Sequence, residues 1–143
     1  MLSWHWRAKL SSLKQLAYGC KWRGVIIEES LEDKSLLDIV RIVKTEKATL
    51  ENEKEAGVLT FHKIEVSDAK KEEFLKRAQK AIKDRYYLHI CRNGIAIVVY
   101  KNKVFEFSGN ETEKITAARN YGISIGILRE QLEFEALIDT PWA

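Results

Sequence analysis

Apolar residues at the start of the chain recur with a helical period. At about 100° per residue, Leu2, Trp6, Leu10, Leu13 and Ala17 share one side, with Leu16 at its edge and Arg7, Ser11, Lys14 and Gln15 elsewhere. This spacing predicts an amphipathic helix over residues 1–20, closed near Gly19, where a left-handed backbone costs glycine little. From Lys21 to Val66 the pattern becomes β-branched and aromatic, and residues 25–27, 39–43 and 58–66 read as three strands. Polar stretches at 31–35 and 52–57 supply the reversals between them. The middle strand competes with a helix, because Leu36, Val40 and Val43 also fit one helical face and a Lys/Glu-rich stretch comes next. The β-branched run IVRIV favours the strand.

Ser67 is placed to cap a second helix, in which Phe74, Leu75, Ala78, Ala81 and Ile82 form the inward stripe and lysines and glutamates the outer face. The next stretch, YYLHICRNGIAIVVYKNKVFEF, reads as a three-stranded antiparallel meander, with Asn93 and Gly94 in a type I′ turn and a second reversal at residues 101–103. Residues 95–100 are apolar at nearly every position, which predicts a central strand covered on both faces. Asn110 and Glu113 have the spacing of a capping box for a third helix. Ile115, Ala118, Gly122 and Ile125 share its inner side, and Gly126 stops it. The remaining residues predict a short turn and an extended C-terminal segment that docks Phe134 and Leu137, with Pro141 and Trp142 frayed or seated in a surface groove.

The expected class is therefore α+β in one domain over residues 1–143. It has an N-terminal amphipathic helix (1–20) followed by two blocks, each of three mainly antiparallel strands and a helix (21–84 and 85–143). The two blocks share an architecture without a detectable sequence repeat. A chain of 143 residues, 45% hydrophobic and 31% charged, has the size to bury a core without metals or disulfides. A single Pro and seven Gly exclude collagen-like and Pro-rich designs. No apolar run approaches the length of a membrane span. Arg7, Lys9 and Lys14 interrupt the early apolar residues as no signal peptide would tolerate, so the expected location is cytoplasmic. Cys20 and Cys91 are the only cysteines, and both read as reduced core thiols.

Charge is distributed unevenly. The net charge is +3, yet the first 27 residues contain five cations and no acid. Within that segment aromatics alternate with cations, and Trp4, Trp6, Arg7, Lys14, Lys21, Trp22 and Arg23 form the candidate binding set. Exposed indoles stack on unpaired bases while Lys and Arg neutralise phosphates. The same set on an amphipathic helix suits an anionic membrane surface or a groove on a protein partner. An apolar stripe equally serves to pack the helix on the sheet.

Chemistry-bearing residues are sparse by comparison. His89 and Cys91 are two residues apart, hence on one face of a strand, where imidazole and thiolate could ligate a metal or act as a nucleophile pair. Two ligands do not complete a metal site, and a nucleophile pair needs a third group to orient it. The carboxylates at 28–33 and 51–55 lie in solvated contexts without the cleft that acid-base catalysis requires. Gly-rich phosphate loops, HExxH and GxSxG are absent from the sequence. The expected function is a non-catalytic macromolecular binding or interaction module without cofactor or metal. Its expected partner is a protein or a second copy of itself, ahead of nucleic acid, with peripheral membrane contact third. The alternatives are single-stranded nucleic-acid binding through the N-terminal set and a small enzyme using His89 and Cys91, which requires a thiol that alkylates in the folded protein.

Overall fold

The computed structural model describes residues 21–49 and 57–142. The predicted helix over 1–20, with Trp4, Trp6, Arg7, Lys14 and Cys20, and most of the 52–57 reversal lie outside the described residues. The described chain is α+β, with six strands in a single antiparallel sheet. The first block contributes β1 (Lys21–Ile27), β2 (Arg41–Thr49) and β3 (Val58–Ser67), followed by helix α1 (Lys71–Ala81). The second contributes β4 (Leu88–Arg92), β5 (Ile95–Tyr100) and β6 (Lys103–Ser108), then α2 (Thr112–Ser124) and a short α3 (Phe134–Asp139). In space the order is β2-β3-β1-β4-β5-β6, so the two blocks lie side by side and meet where β1 pairs antiparallel with β4.

Period-two alternation assigns each strand residue to a face. Trp22, Gly24 and Ile26 pair with Val66, Ile64 and His62, and Gly24 pairs with Ile90 on the other side. On this face Trp22, Ile26, Ile64, Ile90, Ile97 and Val99 pack against Phe74, Ala78 and Ala81 of α1. The opposite face carries Cys91, Ala96, Val98, Tyr100 and Phe107 under Ile115 and Ala118 of α2 and Phe134 of α3. Burial of Ala96, Ile97, Val98, Val99 and Tyr100 results from this double cover, and β5 lies inside the sheet between β4 and β6. Asn93 and Gly94 both have positive φ, 50° and 79°, as a type I′ turn requires. Gly126, at φ 98°, closes the segment after α2.

The structure corrects four local expectations. The middle strand runs from Arg41 to Thr49, while Lys34–Ile39 winds as a 3-10 helix that buries Leu36. The helical face seen through Leu36 thus belongs to a different element, and the Lys/Glu-rich stretch is strand because β3 supplies its hydrogen bonds. Ser67 forms no side-chain cap, because a 3-10 turn at Asp68–Lys70 separates it from α1. The box expected before α2 does not form, and the helix starts at Thr112 without a side-chain cap; in the turn ahead of it the Glu111 carboxylate accepts from the Ser108 amide at 3.0 Å, and Asn110 accepts from the Ser108 hydroxyl. That Glu111 carboxyl titrates at about 2, held down by its bonds to Lys114 and Ser108. Finally, the C-terminal segment contains α3 where an extended chain was expected.

β2 is one of the two outer strands of the sheet, β6 being the other, and all nine of its residues are exposed. Lys44 and Lys47 and a register shift between Ile42 and Lys44 roughen that edge. Charges and bulges of this kind oppose edge-to-edge pairing, which disfavours β2 as a route to self-association.

Candidate functional site

The members of the basic-aromatic set within the described residues spend their contacts inside the fold. Trp22 is 2% exposed. Its indole N–H points to Asp68 at 3.4 Å, and Lys71 and Arg92 lie over its ring at 4.9 and 4.6 Å. These cations occupy the neighbourhood in which a base would have to stack. Lys21 and Arg23 approach the buried carboxylate of Glu65 at 3.8 and 3.5 Å, and Arg41 completes the group with a direct hydrogen bond. Arg23 also lies over the ring of Trp142, whose indole N–H donates to the Ile64 carbonyl at 3.2 Å. The C-terminal segment is therefore seated on the sheet.

His89 and Cys91 share one face of β4, as their spacing predicts, opposite Val98 and Ala96 of β5. Burial governs the chemistry of both. Burial pushes the Cys91 thiol up to about 12, so it stays protonated near neutral pH and is a poor nucleophile. Burial lowers the pKa of His89, against the opposing effect of its bond to Pro141. Because the Pro141 carbonyl can only accept, the 2.9 Å contact fixes the proton on Nε2 and leaves Nδ1 as the ring's lone-pair nitrogen. Among the described residues, no three His, Cys, Asp or Glu side chains converge as metal ligands, and no helix is long and apolar enough to cross a membrane.

His89 faces an open cavity of about 620 Å³ on the α2–α3 side of the sheet, which the candidate binding set did not include. Val25 and Ile27 of β1, Phe61 of β3 and His89 form its floor, in a register set by the pairs Ile27–Phe61 and Val25–His89. Tyr86 and Tyr87 from the connection between α1 and β4 form one wall, while Ile127 and Leu137 close others. Tyr87 is locked by its hydroxyl, which donates to the Gln131 carbonyl, and by an edge-on contact with Phe134 at 5.3 Å. Burial moves its phenol pKa upward. Asp84, Arg85, Glu130 and Glu133 are exposed lining residues, so charge is confined to the mouth and the floor is apolar apart from one uncharged ring. Two sequence signals bear on this site: Tyr86 and Tyr87 carry polar tips of the kind that line a small-molecule pocket, and cover is incomplete, because two apolar residues of β1 share a face with Lys21 and Arg23.

The neutral state of His89 links stability to pH. The unfolded chain takes up a proton on this ring near about pH 6.5, whereas the folded chain does so only at lower pH. The contribution is thus fully present above the unfolded value and is lost as pH falls from there towards the folded one. Urea midpoints measured from about pH 7.5 to about pH 5 should decline, and the decline should flatten in His89→Phe. An unchanged pH slope in that variant would remove His89 as its source.

Comparison of the chain with family models, curated protein sequences and solved structures finds no match.

Proposed function

We propose that the protein is a non-catalytic binding module that takes an apolar group of its ligand into the cavity over β1, β3 and β4. The observation that carries this reading is a concavity of about 620 Å³ with an apolar floor and one uncharged polar ring. Small-molecule sites usually combine such a volume with a few orienting polar groups. The non-catalytic part rests on the quiet chemistry of His89 and Cys91: the buried thiol stays protonated and is no activated nucleophile, and burial lowers the pKa of the imidazole, which makes its lone-pair nitrogen a weak base.

N-Phenyl-1-naphthylamine, an uncharged fluorophore that brightens in apolar surroundings, tests the reading. Native protein should give saturable enhancement at one site. Val25→Phe should weaken that binding about tenfold, because a strand fixes the direction of the added ring and the ring fills the floor. Thermal unfolding of the variant shows whether the sheet survives. Enhancement that never saturates, or that a folded Val25→Phe leaves unchanged, would refute the cavity as the binding site.

A further inference from the structure

We infer that the cavity is built for a free, uncharged aromatic compound bearing one N–H or O–H donor, which docks that donor onto Nδ1 of His89. This rests on the reading of the cavity as a binding site and specifies its ligand. The polarity of the ring is settled by geometry. Nε2 donates to the Pro141 carbonyl, so Nδ1 can only accept, and a ligand gains a hydrogen bond there by bringing a donor. A ligand without one would cover the lone pair of a residue already buried to 5% exposure and leave it unsatisfied.

The rest of the lining defines the ligand's body. The rings of Phe61, Tyr86 and Tyr87 line the cavity, and an aromatic ligand meets such rings through edge and offset contacts. Among the described lining residues, no strand of the floor contributes a charged side chain. An ionised group inserted to the floor would lose its hydration without a counter-charge.

A polypeptide strand is disfavoured as the occupant. The floor strands β3, β1 and β4 are all interior in the order of the sheet, β1 pairing with β3 over its whole length and with β4 at residues 23–25. Neither outer strand, β2 or β6, lines the cavity, so the open edges of the sheet, where strand addition captures an extended peptide, lie away from it. A compact molecule that uses one side-chain acceptor and apolar contact needs no such edge.

The test compares N-phenyl-1-naphthylamine with its N-methyl derivative, in which the single donor is replaced by a methyl group. Native protein should bind the N–H compound about tenfold more tightly, and in His89→Phe the difference should fall below about twofold. A variant that does not fold is bypassed with native protein labelled with ¹⁵N at histidine: the Nδ1 resonance of His89 should move upfield with the N–H compound and stay in place with the methylated one. Equal binding of both compounds, or a difference that persists in folded His89→Phe, would overturn the donor assignment while leaving the cavity as a binding site. Binding of neither compound would overturn the cavity reading and this inference together.

Discussion

Gly24→Ala should destabilise the protein by about 3 kcal/mol or more, the largest effect expected of a methyl group added at any of the described glycines. A Cβ at Gly24 would lie 1.9 Å from the main-chain oxygen of His89 and 2.9 Å from its carbonyl carbon. No rotamer change can relieve a clash with backbone, so β1 and β4 would have to separate at the seam joining the two halves of the sheet. Separation would also move Val25 and His89, two floor residues of the cavity. The variant should lose urea midpoint and naphthylamine binding together. Gly109→Ala is the matched control, because its Cβ would meet only the end of the Ile138 side chain at 3.8 Å. That change should stay within about 1 kcal/mol of the native value. Similar midpoints for the two variants would show that the strands at Gly24 are not in such close approach.

Phe134→Ala should cost about 3–5 kcal/mol and should dismantle the site beyond what the lost stability implies. Phe134 is fully buried at the start of α3, edge-on to Tyr87 and 5.9 Å from the ring of Phe107. A helix of six residues has almost no stability of its own and persists through packing. Among the described side chains of α3, Phe134 alone is fully buried. Its docking holds the Leu137 wall, the Pro141 carbonyl that fixes His89, and Trp142 on the sheet. Denaturant titration measures the stability change. Naphthylamine binding at temperatures where the variant remains folded measures the site. Full retention of binding would mean that the cavity does not depend on α3.

Much of the fold was legible because its signals are local. Asn93 and Gly94 tolerate the positive φ that a type I′ turn demands, so the meander could be placed from a dipeptide flanked by apolar runs. The α1 stripe repeats with a helical period, and Phe74, Ala78 and Ala81 are the residues it buries. The unbroken apolar run in β5 could be satisfied only by cover on both faces. Errors fell where neighbours distant in sequence competed with local propensity, as when β3 drew a helix-prone stretch into β2. Closer at hand, Ser108 drew Asn110 and Glu111 into a turn, and the box assigned to Asn110 and Glu113 did not form.

Turn chemistry and periodicity act over a few residues, and they were enough to dictate the α+β class, the three strands of each block and the shared face of His89 and Cys91. The surroundings of those residues were decided by packing between distant segments. The charge pattern marked Trp22 as a surface for ligands, but packing buried it beneath Lys71 and Arg92. The accepting nitrogen of His89 is set by a carbonyl 52 residues further along the chain. The cavity gathers Val25, Phe61, His89 and Leu137 from three strands and a helix. No local pattern encodes an empty volume, because it is defined by where packed elements fail to meet.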